Sequence, residues 1–340
     1  MLKRSLLITC GGGIYTRSII EALIKNNDFN FTLCDSDANT KIFAKNLNVK
    51  IYIIPSAEKS CKNDFIQAIA MIVDKEKITH ILPMSDAEAI YLKNSKFELI
   101  TLCADKKLCN LFRNKYSTII NLNKFLNLNY FIKLVTKKNI NVLSKYLNKN
   151  KLYCFKPNIG RGGRGFKVLG EKGFLKNKID NFLEFDEVEQ FFFKSSFEEY
   201  IVMDYFDGDD FNIDVSCNKG KLIDISIQRR DAPQNGPITL GEVVNDEFIY
   251  SFIYKFVSNI KASGIFNIEL IKTKIKDGKT KVFIYEINPR ASAALSFTEE
   301  LNPGYIERAI KIVEGDEVSP SSFLINKNVK IRRVWINEIV

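Results

Sequence analysis

Two strand-like segments near the end of the chain carry acidic residues at matching positions. Residues 266–271 and 283–288 are apolar runs interrupted by glutamate and asparagine, and Asp277-Gly278 between them favours a two-residue hairpin turn. With a regular turn, Glu269 lies opposite Glu286, and side-chain alternation puts both on one face. Like charges held opposite each other destabilise a hairpin unless a cation or a proton compensates them.

The remainder of that face indicates which cation would fit. The same register brings Asn267 opposite Asn288. The face is expected to continue with the apolar residues Ile271, Val282 and Ile284. Mg²⁺ prefers oxygen ligands and commonly takes one or two carboxylates together with substrate phosphates. We therefore expect Glu269, Glu286 and Asn288 to bind Mg²⁺, with Mn²⁺ as a substitute, and the alternative is a solvated polar strand end.

A glycine-rich segment leaves a strand near the middle of the chain. Residues 152–156 form a strand-like run, and residues 160–165 contain four glycines, including Gly162 and Gly163, before the next strand-like run. Backbone amides in such a loop can close over phosphates, and Lys156 adds positive charge. The Walker motif is absent. Arginine-glycine segments that bind nucleic acid are the alternative, but they are usually disordered repeats, and we expect a phosphate-covering hairpin.

A second glycine cluster, Gly11–Gly13, follows the first strand-like segment of the chain. Asp35 ends the second such segment, so the arrangement is similar to a dinucleotide-binding turn. Thr16 occupies the third glycine position of that motif. We therefore expect a tight strand-to-helix turn, with cofactor binding as the alternative. Residues 84–88 also follow a strand and would lie at the same edge of the sheet.

The elements that position these residues change in type along the chain. Residues 1–110 alternate short apolar strands with helical stretches, which predicts a Rossmann-like α/β domain with a parallel sheet. The pattern is helical over residues 114–146, and strands dominate residues 200–287 apart from a helix at 247–263. The predicted units are residues 1–110, 111–200 and 201–340.

Composition limits the classes of function. The seven cysteines are scattered without a paired spacing, which predicts buried free thiols, and the only histidine, His80, lies in an apolar strand-like segment. Catalysis by a histidine triad or a histidine metal cluster is therefore disfavoured. The net charge of +10 comes from dispersed lysines, which indicates a solvated surface but also suits a polyphosphate ligand. No apolar run reaches the roughly 18 residues of a membrane span, and we expect a cytoplasmic protein with neither nucleic acid nor membrane as a partner.

Three segments together resemble the ATP-grasp superfamily, most closely the carbamoyl phosphate synthetase large-chain type. They are the Lys156 glycine loop, residues 202–210, and residues 286–290. The resemblance extends over residues 1 to about 315. It implies a Rossmann-like (pre-ATP-grasp) α/β domain followed by an α+β ATP-grasp fold, whose two subdomains clasp ATP between a flap-bearing lid and a C-terminal unit.

The resemblance implies roles in ATP binding. Lys115 corresponds to the first phosphate-binding lysine, with Lys106 as the alternative, and Lys156 to the second, which contacts phosphate and adenine. Gly162 and Gly163 fall in the mobile flap. The residues implied to hold adenine and ribose are Met203, Asp204, Phe206 and Asp210. Both of these aspartates replace the glutamate that is usual in the family.

The resemblance also implies roles around the transferred phosphate. Glu269, Glu286 and Asn288 match the metal-binding set, in agreement with the hairpin argument. Arg290 matches the arginine that holds the transferred phosphate and the substrate. Arg229 and Arg230 precede a loop where the family often places a basic residue that contacts substrate, and of the two Arg229 is the expected one.

Together these features predict a ligase that activates a carboxylate as an acyl phosphate and transfers the acyl group to an amine or a similar nucleophile. Phosphoryl transfer relies on positioning and charge neutralisation, which suits a site without histidine. Carbamoyl phosphate synthesis is disfavoured because the chain has one ATP-grasp unit and lacks a cysteine-histidine glutaminase pair. A nucleotide-binding regulatory protein without turnover and a nicotinamide-dependent oxidoreductase are the alternatives. The family often forms dimers, so a homodimer is compatible with the resemblance.

Overall fold

The computed structural model describes residues 3–13, 15–26, 29–40, 47, 49–160, 163–171, 181–231, 239–274, 278–321 and 328–334. Within these ranges, no helix has the length and apolar composition needed to cross a membrane. Three sheets organise this part of the chain.

The first sheet is parallel, as the alternating pattern predicts. Its strands are β1 (Ser5–Ile8), β2 (Asn30–Asp35), β3 (Lys50–Ile53) and β4 (His80–Leu82). They are ordered β3-β2-β1-β4, and each neighbouring pair is parallel. The accompanying helices are α1 (Thr16–Asn26), α2 (Lys62–Glu76), α3 (Asp86–Lys93) and α4 (Lys106–Leu111). The alternating pattern also predicts a helix near Thr40, but residues 41–46 lie outside the described part of the chain.

The second sheet carries the glycine loop. Its strands are β5 (Ile132–Val135), β6 (Tyr153–Pro157), β7 (Lys167–Gly170), β8 (Phe182–Glu184) and β9 (Tyr200–Asp204), in the order β5-β9-β6-β7-β8. The helices are α5 (Lys115–Phe125) and α6 (Val188–Lys194). The helical prediction for residues 114–146 is wrong over β5, because these residues pair with β9 and tertiary pairing overrides a weak local preference.

The third sheet is the largest and entirely antiparallel. Its strands are β10 (Asp209–Asn218), β11 (Lys221–Arg230), β12 (Leu240–Val243), β13 (Gly264–Lys274), β14 (Thr280–Asn288) and β15 (Val329–Arg332). They are ordered β14-β13-β10-β11-β12-β15. The helices of this region are α7 (Glu247–Ile260), α8 (Leu295–Leu301) and α9 (Tyr305–Glu314). Short 3₁₀ segments occur at Lys59–Cys61, Glu98–Ile100 and Ile140–Tyr146.

The large sheet has one apolar face and one polar face, and both are buried. On the apolar face, Phe211, Ile213 and Leu270 join the same hydrophobic core as helix α7. The alternate residues of the same strands are polar, and Asn212 and Asp214 are only 3% and 1% exposed. Because a buried polar group costs free energy unless it is hydrogen-bonded, this second face must be paired internally.

The β13–β14 hairpin has the predicted pairing at one end only. Glu269 lies opposite Glu286, as a regular turn predicts. At the other end, Lys274 pairs with Thr280, so the connection is longer than the two-residue turn that the sequence favoured. Part of this connection, residues 275–277, lies outside the described residues.

A β-bulge in β14 accounts for the difference. Leu270 pairs with Ile284, so Tyr285 is an extra residue between that pair and the carboxylate pair. The expectation that Val282 and Ile284 continue the carboxylate face is therefore wrong, since both join Leu270 in the apolar core. The bulge turns the Tyr285 side chain towards the carboxylates instead.

Candidate functional site

The candidate site lies on the polar face of the large sheet, where the β13–β14 hairpin meets the second sheet. Glu269 and Glu286 are directly opposed, and each side chain is 20% exposed. Asn288 lies beside them, with its Nδ2 3.1 Å from Asn267 Oδ1 and 3.5 Å from Glu269 Oε1. The structure thus brings together the three residues that the sequence singled out as metal ligands.

Two lysines from outside the large sheet neutralise Glu286. Lys156, on β6, places its Nζ 3.4 Å from Glu286 Oε2, and Lys115, at the start of α5, places its Nζ 3.2 Å from Oε1. Burial raises the pKa of Glu286, but the two ammonium groups outweigh it and hold that pKa at about 2. Glu286 is therefore ionised at neutral pH, and two cations converge on its carboxylate.

Glu269 has a different set of partners, all from the large sheet. Arg230, on β11, has its Nη1 2.9 Å from Asp210 Oδ2 and 3.4 Å from Glu269 Oε2. The Tyr285 hydroxyl lies 3.0 Å from Asp210 Oδ1 and 2.9 Å from Glu269 Oε2. Burial raises the pKa of Asp210, and the Arg230 guanidinium offsets part of that rise. One guanidinium thus balances two carboxylates on this side of the site.

Two of the basic candidates lie away from the cluster. Lys106, the alternative to Lys115, pairs with Glu98 at the surface. Arg229 is 39% exposed and lies 2.8 Å from Glu242. Successive residues of a strand point to opposite faces, so Arg229 and Arg230 cannot both face the carboxylates. Arg230 is the one that does.

The cluster fits a divalent cation that arrives with a polyphosphate. Within the described ranges, no three acidic, histidine or cysteine side chains form a metal site by themselves. Glu269 and Glu286 would therefore need further oxygen ligands, and Asn288 and phosphate oxygens are of the kind that Mg²⁺ takes. The donor chemistry present is thus compatible with nucleotide-borne Mg²⁺.

The glycine loop is framed by antiparallel strands β6 and β7, as the sequence predicted. Gly165 has a φ of 75°, and a Cβ there would come within 2.9 Å of Pro157 Cγ and Tyr200 Oη, so this position requires glycine. Gly163 is exposed with a φ of 67°. Gly162 lies outside the described residues.

An aromatic cluster lies beside the segment expected to hold adenine. Phe206 stacks on Phe283 with ring centroids 3.9 Å apart, and Tyr130 packs edge-on against Phe206 at 5.3 Å. Met203 is fully buried on β9, whereas Asp204 Oδ2 accepts a hydrogen bond from the backbone N–H just before β5. Asp204 therefore fixes the start of β5 in this structure.

Arg290 connects the site to the first sheet. Its Nε lies 3.0 Å from Asp86 Oδ1, and its Nη1 donates to the Ala291 carbonyl oxygen at 2.9 Å. Asp86 begins α3 directly after β4, so the carboxyl edge of the parallel sheet faces the candidate site. This is the edge at which open α/β sheets bind ligands.

The first glycine cluster is occupied by contacts from its own domain. The Gly12 N–H donates to Asp35 Oδ2 at 2.8 Å, and Thr16 Oγ1 donates to the Cys10 carbonyl oxygen at 3.0 Å. A Cβ at Gly12 would lie 2.0 Å from Thr40 Oγ1. The Gly12 amide already donates to the Asp35 carboxylate, which favours a tight turn over a dinucleotide site.

Another basic residue, Arg333, lies just beyond β15 with no acidic partner in the described part of the chain. Its guanidinium carbon is 4.4 Å from the Tyr15 ring centroid and 5.1 Å from that of Phe297. Its Nη2 donates to the Ala293 carbonyl oxygen, but within the described residues the buried Nε and Nη1 have no hydrogen-bond partner. Burial lowers the pKa of Arg333. Buried guanidinium nitrogens without a partner favour an anionic group nearby.

The sequence reasoning did not assign Tyr285 or Arg333 to the site. The bulge that places Tyr285 has no local signature, because it depends on the register of the whole hairpin. Arg333 follows the last strand without a recognisable motif. Arg230 was named beside Arg229, and the sequence offers a signal for choosing it, since every second residue of β11 from Asp224 onward is polar and predicts a polar face.

Part of the chain matches a known protein family. Residues 196–337 match a family described as ATP-grasp in the biosynthetic pathway with Ter operon. No curated protein matches the chain closely enough to be named as a relative.

Solved structures resemble nearly the whole chain. A biotin carboxylase complex from Campylobacter jejuni covers 96% of this chain and 74% of its own, with a TM-score of 0.69 and 17% identity. An L-amino acid ligase from Bacillus licheniformis covers 91% of this chain and 74% of its own, with a TM-score of 0.63 and 13% identity. The biotin carboxylase domain of a 2-oxoglutarate carboxylase from Hydrogenobacter thermophilus was solved with MgADP and bicarbonate. It covers 96% of this chain and 74% of its own, with a TM-score of 0.69 and 13% identity. The fold is therefore that of the ATP-grasp proteins, as the sequence resemblance predicted.

Proposed function

Because the chain has the fold of the ATP-grasp proteins and residues 196–337 match an ATP-grasp family, we propose that it is an ATP-dependent ligase. In this proposal it activates a carboxylate as an acyl phosphate, releases ADP, and passes the acyl group to an amine or similar nucleophile. The observation that carries the proposal is the meeting of Lys115 and Lys156 with the opposed pair Glu269 and Glu286.

The two lysines would bind the triphosphate. Their ammonium groups lie 3.2 and 3.4 Å from Glu286, so phosphate oxygens entering here would meet cations that are already desolvated and oriented. Electrostatic stabilisation of this kind is often the largest contribution to catalysis. Exposed Gly163 belongs to the loop that would cover the phosphates, together with Gly162.

Glu269, Glu286 and Asn288 would hold Mg²⁺, or Mn²⁺ in its place. When bound, the ion would neutralise charge on the triphosphate and favour in-line phosphoryl transfer. The solved relative that contains MgADP supports this choice of ion.

The nucleoside would lie between the second and third sheets. Phe206 offers an aromatic face beside Met203 and Asp204, which would contact adenine. Asp210, already fixed by Arg230 and the Tyr285 hydroxyl, would contact ribose.

The acid substrate would lie on the far side of the phosphates. Arg290 faces this region from the loop after β14, and would hold the transferred phosphate and the substrate carboxylate together. Arg333, half-buried and without an acidic partner in the described ranges, would bind an anionic group of the substrate. Among the solved relatives, the L-amino acid ligase supports an amine as the acceptor.

ADP release, measured with mixtures of carboxylic acids and amines, tests the proposal. We expect wild-type protein to release ADP only when Mg²⁺ and a suitable acid are present. Glu286→Gln should abolish this release while preserving the circular dichroism spectrum, because it removes the charge that holds the ion and the lysines. Glu242→Gln, an acidic change in the same sheet at the partner of Arg229, is the matched control and should retain full turnover.

Two results would overturn the proposal. ATP binding without ADP release under any acid and amine mixture would indicate a regulatory nucleotide-binding protein. Undiminished turnover by Glu286→Gln would contradict the assignment of Glu286 as a metal ligand.

A further inference from the structure

A row of buried amide side chains crosses the polar face of the large sheet, beginning at Asn288. Its members are Asn288 on β14, Asn267 on β13, Asn212 on β10 and Gln228 on β11. None is more than 4% exposed. A primary amide has two N–H donors and one acceptor oxygen, so burial of four in succession requires that their orientations agree.

Every link in this row points in the same direction. Asn288 Nδ2 donates to Asn267 Oδ1 at 3.1 Å. Asn267 Nδ2 donates to Asn212 Oδ1 at 2.9 Å. Asn212 Nδ2 donates to Gln228 Oε1 at 3.0 Å. In each link, the amide oxygen farther from the carboxylate pair accepts a hydrogen bond from the amide nitrogen nearer to it.

Acceptors at two points fix that direction. Gln228 Nε2 donates to Thr298 Oγ1 at 2.9 Å and to Asp214 Oδ2 at 3.4 Å, and the Thr298 hydroxyl donates to the same carboxylate at 2.6 Å. The second hydrogen of Asn267 Nδ2 is donated to the Ile213 carbonyl oxygen at 3.1 Å. A backbone carbonyl can only accept, so a reversed Asn267 would bring two acceptors together.

The consequence falls on Asn288. Its NH₂ group donates to Asn267 Oδ1 in the row and, at 3.5 Å, to Glu269 Oε1, while within the described part of the chain its Oδ1 has no hydrogen-bond partner. A cation binds an amide through oxygen, and an NH₂ group in that position would repel it. Outer residues that orient a ligand in this way commonly tune metal affinity.

We propose that Asn267, Asn212 and Gln228 are positioning residues, which hold the Asn288 amide so that its oxygen is available to a divalent cation. This rests on the proposed function, because the cation is the one assigned to the carboxylate pair. The inference adds that orientation of the ligand is set across four strands, from the buried Asp214 and the Ile213 carbonyl.

Mn²⁺ binding measured by electron paramagnetic resonance, with a non-hydrolysable ATP analogue present, tests the inference without relying on turnover. Asn267→Leu keeps the side-chain shape but removes the acceptor for Asn288, so we expect Mn²⁺ to bind about 10- to 100-fold more weakly. Gln228→Met breaks the row two links further away, and a smaller weakening is expected. Binding of the analogue in the absence of metal should be unchanged in both variants.

Asp224→Asn is the matched control. Asp224 is a 2% exposed carboxylate on the same strand as Gln228, but its partners are Arg308 and Asn302, outside the row. This variant should lower the thermal midpoint and leave Mn²⁺ binding unchanged.

The outcomes separate the inference from the proposed function. If the wild-type protein binds no Mn²⁺ with the analogue, the proposed metal site fails and the inference fails with it. If the wild type binds Mn²⁺ and both row variants match it, the inference alone is overturned. Equal weakening by Asp224→Asn would also overturn it, because the effect would then reflect general loosening. Should Asn267→Leu not fold, Gln228→Met decides by the same criterion.

Discussion

Glu269 and Glu286 face each other across one hairpin, yet they are neutralised from different parts of the molecule. Glu286 is paired with Lys115 and Lys156, which come from helix α5 and the second sheet. Glu269 is paired with Arg230, a residue of its own sheet. The environment of Glu269 is therefore set when the large sheet forms, whereas that of Glu286 depends on how the second sheet packs against it.

The two sides also differ in how much charge each cation balances. Glu286 has two lysines, so one can leave it for a phosphate and the other remains. Arg230 serves both Asp210 and Glu269, and its side chain is only 8% exposed. Loss of Arg230 would leave two partly buried carboxylates without a cation. The Glu286 side is thus suited to ligand exchange, and the Glu269 side to holding a fixed geometry.

Removing one cation from each side gives the largest contrast. Lys156→Met should lower the rate of ADP release by about 100- to 1000-fold, because a preorganised charge at the phosphates is lost. It should have little effect on unfolding, because Lys115 remains at Glu286. Arg230→Met should instead lower the free energy of unfolding by about 3–5 kcal/mol, the usual cost of orphaning a buried charge. Single-turnover ADP release and urea unfolding measure the two effects.

Lys167→Met is the control for Lys156. Lys167 lies on the adjacent strand of the same sheet, where it packs over Phe191 and not over the carboxylates. It should retain full activity. If Lys156→Met unfolds as easily as Arg230→Met, the two sides of the site do not differ in the way described.

A single hydroxyl gives a smaller test confined to the Glu269 side. Tyr285→Phe keeps the ring and the bulge but removes the hydroxyl whose single hydrogen lies within reach of both Asp210 and Glu269. Because outer-shell partners typically alter metal affinity by 10- to 100-fold, we expect the Mg²⁺ requirement for ADP release to rise by about tenfold. Tyr116→Phe, in helix α5, is the control. An unchanged Mg²⁺ requirement in Tyr285→Phe would show that the hydroxyl does not orient Glu269.

Sequence reasoning reached the strands and the facing pairs because these depend on local patterns. Alternation of apolar and polar residues predicts the hairpin, and Gly12 with Asp35 predicts a tight turn at the end of β1. The predicted pairing of Glu269 with Glu286 is confirmed, but the turn from which it was predicted does not explain it. The assumed turn is not the one observed, and the bulge at Tyr285 restores the register that the assumed turn would have given.

The parts that the sequence missed depend on contacts between distant segments. Sequence reasoning named both Arg229 and Arg230 but preferred Arg229, and the contact of Arg230 with Asp210 and Glu269 depends on how β11 is placed in the sheet. The strand at Ile132–Val135 forms because β9 offers an edge, and nothing within those four residues demands it. Roles in ATP binding follow from the resemblance, and they stay predictions until a nucleotide is measured at the site.

The smallest expected effect compares two carboxyl groups of the site by their acid response. The pKa of Glu286 is lowered from 4.5 to about 2 in the folded protein, because the two lysine ammonium groups outweigh burial. Its ionised form therefore stabilises the fold above pH 4.5, and this contribution is lost as the pH falls towards about 2. Burial raises the pKa of Asp210 above 3.8, so its ionisation opposes folding as the pH rises through that value.

Removing the charge of Glu286 or of Asp210 should therefore change the pH dependence of the unfolding free energy in opposite directions. Glu286→Gln should flatten the rise in unfolding free energy between about pH 2 and pH 4.5, because the folded and unfolded chains then bind equal numbers of protons at this position. Asp210→Asn should make the stability rise further above about pH 4, because a group that resists ionisation in the fold has been removed. Urea unfolding followed by circular dichroism at several pH values measures both slopes. Shifts of the same sign in the two variants would mean that Lys115 and Lys156 do not hold Glu286 ionised more firmly than Arg230 holds Asp210.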